Sequence, residues 1–387
     1  MPTKAVVLGC GMVGATMARD LAAEPSFEVT AADLDADRLA RQFRGHAAIR
    51  TQSVDLSDAD QLRRLVEPFD IVLGALPSQF GFAALRTIVQ AGKRFVDIAF
   101  MPENPLELDD VAKRTGAVAI VDCGVSPGLS NMAVGHAAAL LERTDRAVIY
   151  VGGLPKARHW PFQYRAPFAP SDVIEEYVRP ARMRIAGKTV VKPALTDPEL
   201  LDFPGIGTLE AFNTDGLRSL LETTDIPDLV EKTMRYPGHI ELMCVFREIG
   251  LFSREPIDVG GHSVRPLDVT SRLLFPAWTA EPGEREFTVM RVVVDGRSDG
   301  HPVRWTYDLY DETDAATGAS SMARTTAFPA VIVARMLVDG RFRDPGVHPP
   351  EHIARRPELF DAVVSSLHDR GVRIERTVTS SCFNARS

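Results

Sequence analysis

A glycine-rich turn near the start of the chain constrains the fold more than any other feature of the sequence. The apolar run 5–8 leads into three glycines with the spacing G-x-G-x-x-G, and an amphipathic helix follows. This order of strand, turn and helix is typical of a dinucleotide-binding unit, in which the glycines permit a tight turn, close approach of a pyrophosphate and close helix packing. The free N–H groups at the start of such a helix face the phosphates. We therefore expect five residues to contact a cofactor: Gly9, Gly11, Met12, Val13 and Gly14.

The second predicted strand ends in an acid that indicates which dinucleotide binds. This strand covers 27–32, and Asp33 follows it, 24 residues after Gly9. An acid at this place accepts hydrogen bonds from the ribose hydroxyls and repels a 2′-phosphate, which favours NAD over NADP. The nearby Arg38 tolerates NADP if its loop bends inward. The sequence therefore predicts NAD as the cofactor and leaves strict selectivity open.

The composition is typical of a soluble globular protein with two or three domains. The chain has 387 residues, of which 45% are hydrophobic and 25% charged, and roughly 100–200 residues form one domain. Its net charge of −8 argues against a surface for nucleic acid or for an anionic membrane. No stretch approaches the roughly 18 uncharged apolar residues of a membrane span. We expect a small-molecule substrate and neither a nucleic-acid nor a membrane partner.

The cysteines show no metal-binding pattern. The four cysteines are far apart in the chain, and no C-x-x-C pair occurs. Such cysteines are typical of reduced thiols in a cytoplasmic protein. The sequence therefore predicts a cytoplasmic protein without a metal site. The cysteines are Cys10, Cys123, Cys244 and Cys382.

The order of predicted elements divides the chain into three parts. Residues 1–144 alternate six strands with helices, which predicts an α/β fold with a doubly wound parallel sheet, a Rossmann domain. Residues 145–322 contain hairpins and a few helices, which predicts an α+β domain with a mixed, largely antiparallel sheet. We expect residues 323–387 to be helices that return to the Rossmann domain.

Candidate functional residues follow the predicted parallel strands, because ligands bind at the carboxyl ends of such strands. After the fourth strand, Ala75, Leu76 and Pro77 are expected to follow the cofactor ribose. The segment 122–128 follows the sixth strand and either lines the nicotinamide or forms an ordinary connection between domains. Its cofactor candidates are Val125 and Pro127, and Asp55 after the third strand is a further one.

Asp97 ends the fifth predicted strand and is a candidate general base. A carboxylate buried in a cleft has a raised pKa, which suits proton transfer near neutral pH. Its alternative role is to cap a local turn. Cys123 is expected to be a packing residue, because the sequence shows no positive partner for it.

In the predicted second domain and the helical tail, polar residues cluster in turns bounded by glycine or proline. An arginine can bind a carboxylate with two parallel hydrogen bonds, an aspartate can hold an ammonium group, and a histidine can transfer protons near neutral pH. Each residue taken alone could instead be an ordinary surface group. The candidates are Tyr164, Thr214, Asp215, Arg235, His239, Arg324 and Thr325.

Five segments of the chain resemble the saccharopine dehydrogenase-like family, and within it the lysine 6-dehydrogenase branch. They are VDCGVSPGLSN at 121–131, YVGGLP at 150–155, EAFNTDGL at 210–217, KTMRYPGH at 232–239 and SMARTTAFPA at 321–330. The resemblance implies a Rossmann domain with an inserted catalytic domain and C-terminal helices that return to it, assembled as a homodimer. It also implies oxidation of the ε-amine of L-lysine by NAD, giving 2-aminoadipate 6-semialdehyde and ammonia.

This reaction assigns a role to each candidate. The amine must lose its proton before a hydride leaves, because a lysine ammonium has a reference pKa of about 10.4. His239 is the first candidate for this acid–base step and Asp97 the second. Arg235 or Arg324 holds the substrate carboxylate, and Asp215 pairs with its α-ammonium. Two alternatives remain: a dehydrogenase of secondary amines such as saccharopine or carboxyspermidine, and a dinucleotide-binding regulator without catalysis.

Overall fold

The computed structural model describes residues 1–168, 170–281 and 283–380. The chain divides into two compact units. The first unit contains residues 1–140 and 323–373, and the second contains residues 141–322 together with the described residues after 373.

The strands and helices are numbered in chain order. The strands are β1 Thr3–Leu8, β2 Phe27–Asp33, β3 Ile49–Ser53, β4 Ile71–Gly74, β5 Arg94–Asp97, β6 Val118–Ile120, β7 Arg143–Pro155, β8 Ala181–Ile185, β9 Lys188–Lys192, β10 Glu199–Phe203, β11 Gly207–Asn213, β12 Asp228–Arg235, β13 Ile257–Val259, β14 His262–Val264, β15 Glu286–Ser298, β16 His301–Glu312, β17 Gly346–His348 and β18 Arg373–Ser380. The helices are α1 Met12–Ala22, α2 Ala36–Gln42, α3 Ala59–Val66, α4 Ser78–Gln90, α5 Asp109–Thr115, α6 Leu129–Leu140, α7 Pro170–Val178, α8 Leu220–Thr223, α9 His239–Glu248, α10 Pro266–Trp278, α11 Ser321–Val338, α12 Pro350–Ala354 and α13 Pro357–Asp369.

The first unit is built on a seven-stranded parallel sheet. Its strand order is β17-β6-β5-β4-β1-β2-β3, and every neighbouring pair runs parallel. Both faces of β1 are buried, from Ala5 to Leu8, as expected for a parallel sheet that helices cover on both sides. The predicted α/β class with a doubly wound sheet is confirmed. The sequence did not reveal the seventh strand, β17, because three residues are too few for a periodic pattern.

The first unit is completed by helices from the end of the chain. Asp20 of α1 accepts hydrogen bonds from Arg335 of α11 at 2.8 Å and from Arg370 at 2.9 Å. These charge-assisted bonds fix α11 and the end of α13 to the first helix of the sheet domain. Helix α11 is 18 residues long with a mean hydropathy of 1.2, which is enough to span a membrane by length and composition, although it contains Arg324 and Arg335. It is 83% buried, as is usual for a core helix.

The second unit contains a nine-stranded mixed sheet. The main strand order is β10-β11-β12-β7-β15-β16-β18, with β8 and β9 attached beside β12. Strands β12 and β7 run parallel, whereas β15 pairs antiparallel with β7 and β16. The predicted mixed sheet is therefore confirmed, including the hairpin of β8 and β9 around Gly187.

Two local predictions in this unit need correction. The sequence predicts turns at both Asp-Gly pairs, Asp295-Gly296 and Asp299-Gly300. The first pair is a bulge inside β15, and only the second lies at the turn between β15 and β16. A Cβ on Gly296 would lie 2.3 Å from the carbonyl oxygen of Arg143, so the close approach of β7 requires glycine there. The predicted helical tail through 387 also ends early, because the described residues 373–380 form β18, which extends the second sheet. Cys382 lies outside the described residues.

Candidate functional site

The glycine turn has the geometry of a dinucleotide cradle. Gly9 has φ +84°, and a Cβ built on it would lie 2.5 Å from the carbonyl oxygen of Ala75. A Cβ on Gly14 would lie 1.8 Å from the carbonyl oxygen of Gly9. Both glycines are therefore required by packing inside the protein. Gly11 differs, because nothing lies within 4 Å of its virtual Cβ. This open space is where the fold allows a pyrophosphate to approach the backbone.

Helix α1 begins at Met12, directly after this open space, and no side chain caps it. Gly11 is the N-cap, no side chain caps the helix, and its first turn carries no acidic residue. Met12 is 41% exposed, and Val13 follows it in the first turn. An uncapped helix start with its partial positive charge binds phosphate well. The cysteine of the turn is inert by contrast, because burial raises the pKa of the Cys10 thiol to about 12.

Asp33 lies at the end of β2 beside the glycine turn. Its Oδ2 accepts a hydrogen bond from the backbone N–H of Cys10 at 2.7 Å, and its Oδ1 accepts one from the N–H of Asp35 at 3.0 Å. Arg38 of α2 approaches the same carboxylate, with Nη1 3.3 Å from Oδ2. Asp33, which is predicted to bind the ribose, is thus hydrogen-bonded directly to the loop that is predicted to bind the phosphates.

The residues after β4 pack against the same turn. The N–H of Ala75 donates to the carbonyl of Leu8 at 2.8 Å, and the Leu76 side chain lies 3.2 Å from the virtual Cβ of Gly9. Pro77 is the N-cap of α4. These contacts bring Ala75, Leu76 and Pro77 to the cradle, as required for their predicted role.

Asp55 closes a local turn, and its predicted cofactor contact stays a prediction. Its Oδ1 accepts hydrogen bonds from the hydroxyl of Ser57 at 2.6 Å and from the N–H of Ser57 at 2.9 Å. These bonds lower the pKa of the Asp55 carboxyl. An aspartate that closes a turn on its own neighbour is common after a strand.

Asp97 ends β5 as a buried carboxyl group. It is 2% exposed, and a Cβ on Gly74 would lie 2.3 Å from its Oδ1, so glycine at 74 makes room for it. Oδ1 accepts a hydrogen bond from the N–H of Ala99 at 3.2 Å, while Oδ2 is buried with no hydrogen-bond partner among the described residues. Burial, with the charge of Asp122 adding to it, raises the pKa of Asp97 to about 7. Asp97 can therefore gain or lose a proton near neutral pH.

The segment after β6 folds tightly on itself. The Ser126–Pro127 peptide bond is cis, and Gly128 has φ +136°. A Cβ on Gly128 would lie 2.0 Å from the carbonyl oxygen of Gly124. Val125 is 5% exposed. The described contacts show a rigid loop at the carboxyl edge of the sheet, and the cofactor role of Val125 and Pro127 stays a prediction. Cys123 is buried, and burial raises the pKa of its thiol, consistent with a packing residue.

Arg324 and Thr325 lie on α11 in the first unit and are nearly buried, with exposed fractions of 8% and 0%. Nη2 of Arg324 donates to the carbonyl of Arg370 at 3.1 Å, and its guanidinium lies 5.5 Å from the ring centre of Phe328. The hydrogen bond to Arg370 therefore connects Arg324 to the end of α13. Its predicted role toward a substrate carboxylate stays a prediction.

Arg235 is buried in the second unit, and its guanidinium already has a carboxylate partner. Its Nη2 forms an ion pair with Glu176 of α7, its Nη1 donates to the carbonyl of Met234 at 3.0 Å, and its guanidinium lies 4.6 Å from the ring centre of Tyr164. The side chain is 2% exposed. A buried arginine needs such a partner, since an unpaired buried charge is costly. Glu176 supplies that partner in the structure, and the role of Arg235 toward a substrate carboxylate stays a prediction.

His239 is the centre of a buried hydrogen-bond chain. Its Nδ1 lies 2.8 Å from the carbonyl oxygen of Phe162, and its Nε2 lies 2.8 Å from the hydroxyl of Tyr177. A carbonyl only accepts, so Nδ1 carries the proton and Nε2 accepts from Tyr177. The Nε–H of Arg235 in turn donates to the Tyr177 oxygen at 3.4 Å.

The same surroundings hold His239 neutral. Burial, and then the charge of Arg235, lower the pKa of its imidazole to about 3. Both ring nitrogens are engaged, and the residue is 1% exposed. These contacts favour a positioning role for His239 over the predicted acid–base role. Tyr164 beside it is 1% exposed, and burial raises its pKa well above the usual value.

Thr214 and Asp215 belong to a second buried polar group. Asp215 accepts two parallel hydrogen bonds from Arg182, both at 2.9 Å, and its pairing with a substrate ammonium stays a prediction. Thr214 donates to Oε2 of Glu231 at 2.6 Å, and the N–H of Gly216 donates to the same oxygen at 3.0 Å. Burial raises the pKa of Glu231 to about 8.

Three of these residues are not among the candidates that the sequence suggests: Glu176, Tyr177 and Glu231. One signal was available, because Glu231 and Arg235 occupy alternate positions of a strand whose other residues of that face are apolar or small. Charged residues on the buried face of a strand are rare unless paired. Among the described residues, no group of three or more His, Cys, Asp or Glu side chains comes together to hold a metal ion.

Two family models match consecutive parts of the chain. Residues 5–120 match the saccharopine dehydrogenase NADP binding domain, and residues 124–372 match the saccharopine dehydrogenase C-terminal domain. The chain belongs to the saccharopine dehydrogenase family. The family resemblance predicted from the five sequence segments is thereby confirmed, and the first unit of this family member corresponds to a dinucleotide-binding domain.

Similar proteins include enzymes named for different amines. The mitochondrial alpha-aminoadipic semialdehyde synthase of Rattus norvegicus is 24% identical over 95% of this chain and 47% of its own length. The carboxynorspermidine synthase of Vibrio cholerae is 26% identical over 80% of each chain. The chain spans about half the length of the semialdehyde synthases it matches. The apo structure of saccharopine dehydrogenase (L-Glu forming) from Saccharomyces cerevisiae matches 97% of this chain and all of its own, with a TM-score of 0.80 and 17% identity, which shows the shared fold.

Proposed function

We propose that this family member is an oxidoreductase that uses a nicotinamide dinucleotide to oxidise the carbon–nitrogen bond of an amino acid amine, with the ε-amine of L-lysine as substrate and NAD as oxidant. The observation that carries the proposal is the cradle formed by Gly9, Gly11 and Gly14 with Asp33, in a chain whose family model is a dinucleotide-binding domain. When bound there, the nicotinamide takes up a hydride.

The cradle residues hold the cofactor in three ways. The backbone at Gly11 leaves room for the pyrophosphate, and the N–H groups of α1 face its charge. The Asp33 carboxylate accepts hydrogen bonds from the ribose. These contacts orient the dinucleotide along the carboxyl edge of the sheet, the edge at which Asp97 and the segment 122–128 also lie.

Asp97 is our candidate for the proton transfer. An amine releases hydride only when its nitrogen has a free lone pair, so a base must first remove the ammonium proton. A carboxyl group with a pKa of about 7 accepts that proton more readily than an ordinary carboxylate does. Water then attacks the iminium carbon, and ammonia leaves as the aldehyde forms. The balance is amine, NAD and water to aldehyde, ammonia, NADH and one proton.

A dehydrogenase of secondary amines is the second candidate. The relatives named for saccharopine and for carboxynorspermidine support it. Those substrates carry a second arm with a carboxylate, which needs additional cations. In the second unit, Arg235 and Arg182 are already paired with Glu176 and Asp215. This internal pairing supports the smaller substrate, lysine.

The test is absorbance at 340 nm with purified protein, NAD or NADP, and a panel led by L-lysine, ornithine and saccharopine between pH 7 and about pH 10, near the lysine reference pKa. Reduction with lysine that rises with pH and releases one ammonia per NADH supports the proposal. Turnover of saccharopine with release of glutamate or lysine, but no reaction of free lysine, moves the protein to the secondary-amine class. Binding of NADH without turnover of any amine supports a non-catalytic dinucleotide-binding protein.

A further inference from the structure

The second unit exposes many large apolar side chains between residues 245 and 273. Six of the 17 exposed large apolar side chains among the described residues lie in this stretch, which we name the 245–273 surface. Soluble proteins rarely expose such groups together, and a surface that does so usually binds a partner. The six side chains are Val245, Ile249, Ile257, Val259, Val269 and Leu273.

The two helices of this surface are neighbours. Met243 of α9 and Leu274 of α10 belong to the same buried cluster of apolar side chains. The hydroxyl of Thr270 in α10 donates a hydrogen bond to the carbonyl of Leu251, just after α9, at 2.7 Å. The end of α9 therefore lies beside the first half of α10, and their solvent-facing sides continue one another.

Both helices are apolar on the side that faces solvent as well as on the side that faces the core. Val245 and Ile249 are four residues apart on α9, and so are Val269 and Leu273 on α10. Residues with this spacing share one helix face. A helix at the surface of a protein normally carries polar residues there. The exposed faces of α9 and α10 thus have the character of covered faces.

The hairpin of β13 and β14 lies between these helices in sequence and also lacks a covering surface. Its two strands form a sheet of their own, and every residue of β13 is exposed, including Ile257 and Val259. A two-stranded hairpin without packing is marginally stable in water. The hairpin would therefore gain stability from a partner on the same surface.

The charges of the 245–273 surface complement one another. Glu241 lies four residues before Val245 on α9, and Arg272 lies three residues after Val269 on α10, so each borders an apolar stripe. Both are exposed, and neither forms an ion pair with another described residue. Residues 241–273 carry five carboxylates and four guanidinium groups, so this surface is nearly neutral in a chain of net charge −8.

A two-fold axis can satisfy these features at once. In such a contact the same surface is used on both copies, and each pair of residues occurs twice. If α9 of one copy lies on α10 of the other, the apolar stripes meet, and the acid of each copy meets the base of the other. An anionic membrane is a poorer match, because the surface has no excess of positive charge.

We propose that the 245–273 surface binds the same surface of a second copy of this chain, with Glu241 of one copy paired to Arg272 of the partner subunit. The inference is independent of the proposed function, because it uses neither the cofactor nor the amine. Catalysis and assembly can therefore fail separately.

The test is light scattering after size-exclusion chromatography of the full chain, for wild type, Glu241→Arg, Arg272→Glu and the double variant. We expect wild type to be a dimer or a larger even-numbered assembly. Each single variant places like charges opposite each other twice in the contact, which raises the Kd by about tenfold or more. The double variant restores opposite charges and returns the Kd to within about threefold of wild type.

Glu358→Arg is the matched control. Glu358 is an exposed acid in the first turn of α13, as Glu241 is in the first turn of α9, but it belongs to the first unit. Both substitutions therefore reverse a charge at a helix start, and only Glu241→Arg changes the assembly. Melting temperatures of all variants, measured in parallel, separate weakened assembly from unfolding.

Three results overturn the inference: a monomeric wild type, single variants that assemble like wild type, or a double variant that assembles no better than the single ones. Vesicles of phosphatidylcholine and phosphatidylglycerol test the other occupant. A monomeric wild type that sediments with them assigns the surface to a membrane instead of a second copy.

Discussion

The hydroxyl of Tyr177 donates a hydrogen bond to Nε2 of His239, 2.8 Å away, while Nδ1 of the same ring donates to the carbonyl of Phe162. This arrangement requires a neutral imidazole, and burial together with Arg235 lowers its pKa to about 3. The ring therefore joins α7, α9 and the segment before α7.

His239→Ala is expected to lower the melting temperature more than it alters the pH dependence of turnover. The substitution leaves Tyr177 and the Phe162 carbonyl without a partner, and each buried polar group left unpaired costs about 1–3 kcal/mol. Differential scanning fluorimetry and the pH–rate profile measure the two effects. His262→Ala, at an exposed position of β14, is the control. Loss of an ionisation from the rate profile at unchanged melting temperature would return His239 to the acid–base role.

Glu176→Gln is expected to destabilise the protein, because it removes the charge that compensates Arg235. Breaking a buried pair costs about 3–5 kcal/mol, and the 22% exposure of the Glu176 side chain reduces this to about 2–3 kcal/mol. Glu175→Gln is the neighbouring control. Its partners are Arg254, which is 68% exposed, and Arg179, whose Nη2 is 3.7 Å from Oε2 of Glu175, and each such pair contributes less than about 1 kcal/mol. Equal melting temperatures for the two variants would show that the Glu176–Arg235 pair adds no stability.

The sequence predicted the cofactor end of the protein better than the substrate end. The roles of the glycine turn and of Asp33 can be predicted from a short stretch of sequence, because each follows from the residue's position directly after a strand. Arg235 and His239 do not, because their partners lie far away in sequence: Glu176 is 59 residues before Arg235 and Tyr177 is 62 residues before His239. No local pattern shows whether such a polar side chain faces a ligand or another buried residue.

The rule that ligands bind at the carboxyl ends of parallel strands predicts the position of Asp97 correctly, but it does not by itself predict how far the pKa of Asp97 is raised. The rule places the residue at the carboxyl edge of the sheet. Its burial depends on Gly74 of the neighbouring strand, which leaves the space for Oδ1, and on Asp122, whose charge adds to the effect of burial. These are properties of the packed sheet, not of the segment.

Gly11→Ala and Gly14→Ala are expected to fail in different ways. A Cβ at 11 has nothing within 4 Å, so Gly11→Ala keeps the melting temperature of wild type and weakens NADH binding by about tenfold or more. A Cβ at 14 would lie 1.8 Å from the carbonyl oxygen of Gly9, so Gly14→Ala lowers the melting temperature. Fluorimetry and NADH titration separate the two. Unchanged NADH affinity in Gly11→Ala would contradict the assignment of the cradle.

Asp97→Asn is expected to gain stability relative to wild type as the pH rises. The folded protein holds the Asp97 proton up to a pKa of about 7, whereas an unfolded aspartate releases it near pH 3.9. The folded state therefore binds more protons than the unfolded state across this window, and wild-type stability falls as pH increases through it. Asparagine carries no such charge.

The difference in melting temperature between Asp97→Asn and wild type should therefore widen from pH 5 to pH 8. Glu103→Gln is the control, because Glu103 is an exposed carboxyl group, and its difference from wild type should show no such trend. A constant difference at every pH would mean that Asp97 ionises like an ordinary carboxylate, and it would then lose its proposed place in the proton transfer.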